Sequence, residues 1–180
     1  MKIIKIFILS IVSLIFTING YGQSCKIEFY LLKKEIARDS TNLMTNFSAT
    51  IEDLENEPFI TNNEIISFSI INHTTDNRIV ESHFFEVSES VTMRIKELKI
   101  PLCCGKPFAL LVNGSIAYTG YFWNFYSSFG CDGICAVAGG DTILIERKLP
   151  DYGLEDGVLD KRQDSDLFDC LKATNRMKEE

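Results

Sequence analysis

Six cysteines carry most of the chemistry open to this chain, and four of them fall into two close groups. Cys103 and Cys104 are adjacent, and Cys131-Asp132-Gly133-Ile134-Cys135 follows. Four thiolates could hold Zn²⁺ or Cu(I). Structural zinc sites, however, favour cysteines separated by roughly two to four residues on both sides, and an adjacent pair makes no such knuckle. Thiol exchange favours C-x-x-C at a helix start, a spacing absent here. In an oxidising compartment neighbouring thiols close into disulfides. The expectation is a bridge from Cys103 or Cys104 to Cys131 or Cys135, with metal binding and thiol-disulfide exchange as the alternatives. Cys25 and Cys170 are expected either as a pair or as two buried free thiols.

Beside these cysteines Tyr121, Phe122, Trp123, Phe125, Tyr126 and Phe129 crowd nine positions. Trp123, Phe125, Tyr126 and Phe129 are the candidate ligand-binding residues, an aromatic platform for a protein, peptide or glycan. The competing reading is that they seal the core beneath a long loop, Asn124 to Gly140. His73 and His83 are the only histidines. Without a G-x-S-x-G nucleophile motif they read as surface and packing residues, so no catalytic residue is assigned and no cofactor or resident metal is expected. Ser127-Ser128 reads as a loop turn. Asp151, Glu155, Asp156, Asp160, Asp164 and Asp166 break the alternate spacing that a calcium loop needs and read as a solvated acidic run.

The first residues decide the compartment. Lys2 and Lys5 precede a charge-free apolar stretch from Ile6 to Ile18, then Asn19-Gly20-Tyr21-Gly22. That is the layout of a secretory signal peptide over 1–22. The stretch is short for a bilayer span, which needs about 20 residues. A lipoprotein acylated at Cys25 is the alternative, although Gly22 replaces the branched apolar residue expected three positions earlier. Of the 180 residues, removing 22 leaves 158, enough for one domain with a substantial core. The leader carries two of the 18 basic residues and none of the 25 acidic ones, so the remainder holds 16 against 25, a balance of −9. Such a chain repels phosphate backbones, which argues against a nucleic-acid partner. No second stretch approaches spanning length.

These residues must be positioned by strands and two helices. Cys25 to Leu32 reads as a first strand, and Thr61-Asn62-Asn63-Glu64 as a capping box that opens one helical turn. Ile65 to Ile71 is a strand, Asn72 to Asn77 a turn, and Arg78 to Glu86 a returning strand. Ser88 caps a helix with Val87, Val91, Ile95 and Leu98 at helical spacing, ended by Pro101. Pro107 to Val112 and Ser115 to Phe122 flank Asn113-Gly114, the strongest short-range hairpin signal. A two-residue loop pairs Leu111 with Ile116 and Ala109 with Tyr118. It gives Phe108, Leu110 and Val112 one face with Ala117 and Tyr121. It also sets Cys104 beside Trp123. Thr142 to Glu146 is a further strand, and Asp164 to Met177 a closing helix.

The order from Ile65-Ile66-Ser67 through strand and helix to Gly105-Lys106-Pro107-Phe108-Ala109-Leu110-Leu111-Val112-Asn113-Gly114 resembles the head of the periplasmic domain of the SecD translocation subunit, over residues 65–122. Asn113-Gly114, Tyr121-Phe122-Trp123, Ser127-Ser128 and Asp160-Lys161-Arg162 are similar to short exported bacterial proteins of unknown function. The resemblance implies a β-α-β-hairpin module and carries no activity. The chain thus reads as a single secreted or periplasmic α+β domain over 23–180, an antiparallel sheet with a central Asn-Gly hairpin and two main helices packed on it. Its expected role is a non-enzymatic binding module of unknown protein, peptide or glycan partner, with no membrane span after cleavage. The alternative is a periplasmic thiol-disulfide or metal-binding protein.

Overall fold

The computed structural model describes residues 25–35, 46–75, 78–151 and 160–178. The leader, and Glu155 and Asp156 of the acidic run, lie outside them. The elements are strands β1 (Ile27–Leu31), β2 (Ile65–Thr75), β3 (Arg78–Val87), helix α1 (Glu89–Glu97), β4 (Lys106–Val112), β5 (Ser115–Phe122), β6 (Cys135–Gly139), β7 (Thr142–Glu146) and helix α2 (Ser165–Ala173). Two short 3₁₀ turns, Ile51–Asp53 and Asn62–Glu64, open with capping boxes at Thr50 and Thr61.

The strands form one seven-stranded sheet in the order β1-β4-β5-β6-β7-β3-β2. Every neighbouring pair is antiparallel except β5 and β6, which run parallel through Tyr121↔Cys135 and Phe122↔Ala136. A parallel step needs a crossover of about a dozen residues, and the aromatic loop from Trp123 to Ile134 is that crossover. The expected unbroken loop to Gly140 therefore ends early. Cys135-Ala136-Val137-Ala138-Gly139 has little strand signal of its own and becomes β6 because β5 and β7 supply ladders on both sides.

Both helices bury on one face. Val91 and Ile95 of α1, with Leu167, Cys170 and Leu171 of α2, join Phe29, Phe68, Phe85, Phe108, Leu110, Phe122 and Ile145 in the main core. The opposite face carries two smaller clusters, one around Ala109 and Leu111 with Leu32 and Leu54, the other around Tyr121, Trp123, Cys131 and Cys135. Alternate residues of β4 serve opposite clusters, as period-two geometry requires.

At the tip of β4 and β5, Val112 pairs with Ser115 and Leu111 with Ile116. Between them Asn113 and Gly114 have φ of 50° and 82°, values open to few residues other than Asn and Gly. The Asn113 side chain also accepts the Lys26 amide at 3.0 Å, tying the tip to the start of β1. A register shift between Leu110 and Leu111 then moves the pairing by one, so Ala109 opposes Thr119 and Leu110 opposes Tyr118. A one-residue slip exchanges faces. Tyr118 consequently enters the main core and Tyr121 the opposite cluster, the reverse of the uniform register expected from the two-residue loop.

Two other boundaries differ from expectation. Asn72 to Thr75 continue β2 rather than turning, because Asn72 to Thr75 pair in sequence with Glu81 to Arg78. The last helix stops at Ala173, where Asn175 adopts φ 54° and the Arg176 amide reaches back to the Leu171 carbonyl at 2.9 Å, a left-handed C-terminal cap. Freed from the helix, the chain runs beside β2: the Phe68 amide donates to Arg176 and Lys178 donates to Phe68, both at 2.8 Å. On the far edge, Phe29 pairs with Phe59 and Ile60.

Candidate functional site

Four cysteines meet on the sheet face opposite the helices, but not as the expected staple. Cys103 and Cys104 are bonded to one another, and Cys25 is bonded to Cys170. Cys131 and Cys135 are buried free thiols. The expected bridge between the two groups is therefore corrected. Adjacent Cys103 and Cys104 satisfy each other at the start of β4, while Cys131 and Cys135 turn inward around Gly133. Both thiols donate to the Gly133 carbonyl, at 3.4 and 3.2 Å. The Cys25–Cys170 bond joins the segment preceding β1 to α2, and it occupies the sulfur that acylation of Cys25 would require. Among the described residues no group of three or more His, Cys, Asp or Glu side chains could hold a metal ion.

The dithiol sits in a low-polarity pocket. Cys131 and Cys135 pack with Tyr121 and Trp123, and Phe47, Cys104, Val137 and Leu149 lie against that cluster. Cys131 is held by a two-way backbone bridge to Leu149, at 2.7 and 2.8 Å. Burial pushes the Cys135 thiol well above the ordinary thiol range and likewise raises the Tyr121 phenol. Cys135 also pairs across the ladder with Glu146. The Glu146 side chain accepts the Ser82 hydroxyl through Oε1 at 2.7 Å, while its Oε2 has no partner. Burial raises its carboxyl above the usual range, against the opposing pull of that hydrogen bond.

Gly105 sets the approach of the Cys103–Cys104 turn. It has φ 63°, and a Cβ there would meet the Trp123 ring at 2.8 Å and the Tyr121 Cβ at 2.9 Å. Only glycine lets the turn lie this close to the aromatic floor. Cys104 packs against the cluster that holds Trp123, while the paired register of β4 and β5 ends at Lys106 and Phe122.

The aromatic residues divide in two. Tyr121, Phe122 and Trp123 are buried, which fits the sealing role, while Phe125, Tyr126 and Phe129 are 78%, 85% and 51% exposed. Their loop is nevertheless built. The Asn124 side chain donates to the Ile100 carbonyl at 3.1 Å and accepts the Tyr126 amide at 3.0 Å. The Ser127 hydroxyl bonds the Leu102 carbonyl and accepts the Phe129 amide at 3.1 Å, so Ser127 shapes the turn. Phe125 and Tyr126 meet edge to face with centroids 5.6 Å apart.

Beneath this loop lies a groove of about 360 Å³, walled by Phe125, Phe129 and Pro150 and floored by Trp123, Val137 and Leu144. No charged side chain lines it. Of the three candidate residues on the loop, Tyr126 stands outside the lining.

The remaining candidates are structural. His83 is fully buried, its Nε2 bonded to Glu81 Oε1 at 2.5 Å, and burial lowers its pKa. His73 is an exposed position on β2, not a turn residue. Asp160 is buried rather than solvated. Its carboxylate takes the Arg162 guanidinium through contacts of 2.6 to 3.1 Å, and Arg162 also donates to the Ile145 carbonyl at 2.8 Å. Asp151 pairs with Arg147, and Asp164 caps α2 by accepting the Leu167 amide. Sequence reasoning missed Glu146 and Arg162; for Glu146 the signal available was a charge closing the Ile143-Leu144-Ile145 strand run.

No protein family and no curated protein matches the chain. Two solved structures share a distant likeness of fold, each at a TM-score of 0.43. One is a crystal structure of SecDF in its super-membrane-facing form, 12% identical over 84% of this chain and 19% of that one. The other is of SecDF as a membrane component that enhances protein export, 13% identical over 84% of this chain and 64% of that one. The chain thus spans less than two thirds of either. Among the described residues no helix is long and apolar enough to cross a membrane.

Proposed function

We propose that the chain is an exported, non-enzymatic binding module whose groove accepts an apolar side chain of an extended peptide or protein segment. Residues 1–22 act as the signal peptide in this reading. The Cys25–Cys170 and Cys103–Cys104 bonds support an oxidising compartment. The observation that carries the proposal is the exposure of Phe125 and Phe129 over an apolar, uncharged groove. Aromatic side chains left in water on an otherwise acidic protein lower their free energy by covering apolar surface.

The lining selects among the partner classes. A sugar needs several placed polar groups for its hydroxyls. Here the Asn124 amide and the Ser127 hydroxyl already bond backbone groups, which leaves the Ser128 hydroxyl as the one other polar side chain in the lining. An apolar side chain needs none, so a peptide fits better than a glycan.

Trp123 is the single tryptophan and floors the groove, which makes its fluorescence a built-in reporter. Peptides of equal length with Ser, Leu or Phe at one central position should separate, with Leu and Phe quenching or shifting Trp123 and Ser not. A neutral oligosaccharide should leave the emission unchanged. Equal responses to all three peptides, or a response to the sugar alone, would overturn the reading.

A further inference from the structure

The corner at the start of β4 holds a disulfide and a dithiol in one packed neighbourhood. Cys104 lies against the cluster that contains Cys131 and Cys135. Cys103 and Cys104 are half-buried, whereas Cys131 and Cys135 are buried. The Gly133 carbonyl gathers the two thiols. A disulfide and a dithiol are the complete reactant set for thiol-disulfide exchange. Neither oxidant nor reductant is needed from outside.

We propose that this corner is an internal disulfide relay, in which Cys131 and Cys135 exchange with the Cys103–Cys104 bridge and move one disulfide between a half-buried and a buried position. In the first step the Cys131 thiol loses its proton and its sulfur attacks Cys104 Sγ. The Cys103–Cys104 bond breaks, a Cys104–Cys131 bond forms, and Cys103 leaves as a thiolate that takes up a proton. In the second step the proton of the Cys135 thiol passes to the sulfur that leaves. Its sulfur then attacks Cys131 Sγ, closing Cys131–Cys135 and releasing Cys104, which is protonated in turn. One disulfide and two thiols stand on each side, so electrons and protons balance.

The Gly133 carbonyl holds the two sulfurs together, so closure of Cys131–Cys135 is the second step. Thiols held on one carbonyl acceptor need little rearrangement to close. The relay is independent of the groove's ligand, because it uses only groups within the chain.

The test is made on the full-length protein purified without reductant. Samples are quenched in acid, unfolded, labelled with a maleimide and mapped by fragmentation mass spectrometry. The relay predicts two labelled thiols per chain among these four cysteines, on Cys131 and Cys135 in some molecules and on Cys103 and Cys104 in others. Cys135→Ser should remove the second step and trap a Cys104–Cys131 bond with Cys103 labelled. Labels confined to one pair in every wild-type sample would overturn the relay. So would none or all four labelled, since these mean two static bridges or no bridge. The wild-type measurement decides even if the variant does not fold.

Discussion

Cys135 and Glu146 stand opposite each other in the β6–β7 ladder, which puts a thiol and a carboxyl side by side on a buried stretch of the sheet. Directly opposed residues hold their Cβ atoms about 4.5–5.5 Å apart. Each group's charge would be felt by the other in a medium that screens weakly. Both are accordingly held toward their neutral forms, Glu146 by burial and Cys135 by burial with the nearby Cys131 thiol. A pair of neutral acids leaves this buried stretch without charge, and Cys135 is one of the two free thiols among the described residues.

The Glu146 carboxyl provides the first prediction. Its folded pKa is raised, so its neutral form is the one the fold favours. Stability from this group is fully present below the ordinary glutamate value and is lost as pH rises through the folded value. Glu146→Gln keeps an oxygen for the Ser82 hydroxyl and removes the titration. The variant should exceed the wild type by about 1 kcal/mol at pH 7, the scale of one buried unsatisfied polar group. The difference should shrink to nothing near pH 4. Urea unfolding at the two pH values checks this, and a variant weaker at pH 7 would contradict it.

Glu64 behaves in the opposite sense. It takes Arg94 in a two-pronged contact, Oε1 to Nη1 at 2.8 Å and Oε2 to Nη2 at 3.0 Å, while Arg94 also reaches the Phe59 carbonyl at 2.8 Å. The Arg94 hydrogen bond leads in holding its pKa down, at about 2. Its contribution is present above the ordinary glutamate value and lost as pH falls from there toward 2. Glu64→Gln should cost about 1 kcal/mol at pH 7, a modest figure because the pair is partly exposed. At pH 2 it should cost almost nothing.

The exposed aromatics separate binding from stability. Phe125→Ala and Phe129→Ala remove side chains that sit largely in water, so denaturant midpoints should change by no more than about 0.5 kcal/mol. The same variants should weaken the Leu and Phe peptides by roughly ten-fold, about 1.4 kcal/mol. Tyr126→Ala, outside the groove lining, should change binding less. Equal losses at all three positions would place the peptide elsewhere.

Gly120 should tolerate no side chain. A Cβ there would lie 2.6 Å from the Ile134 carbonyl and 2.9 Å from the Phe108 ring, and the carbonyl belongs to the crossover that seats β6 beside β5. Gly120→Ala should destabilise by about 2 kcal/mol, within the range for overpacking. Gly114→Ala meets no atom within 4 Å, so its cost should come from backbone conformation alone, about 1 kcal/mol. Thermal melts of the two variants would rank them.

The Cys25–Cys170 bond closes a loop of sequence separation 145. Loop-entropy arguments for so long a closure give about 5 kcal/mol. Cys25→Ser with Cys170→Ser should lower stability by that amount and leave peptide binding intact, since neither residue lines the groove.

Local chemistry determined what the sequence alone could show. Val91 and Ile95 recur at helical spacing behind Ser88, and α1 follows. Thr61 and Glu64 are three apart, and their capping box closes a single turn. Thr142 to Glu146 carries the apolar run Ile143-Leu144-Ile145 and is β7 to the residue. Each of these depends on neighbours a few positions away, so each is written in the chain. The tertiary structure decided what depends on partners far along it. The slip between Leu110 and Leu111 sends Tyr118 to the core and Tyr121 to the thiols, and no residue in the turn encodes it. Cys135 to Gly139 is a strand only because β5 and β7 flank it. The cysteine pairing was decided last. Six thiols allow many bonds, and which sulfurs meet is settled by where seven strands place them, a property of packing across the sheet rather than of spacing along the chain.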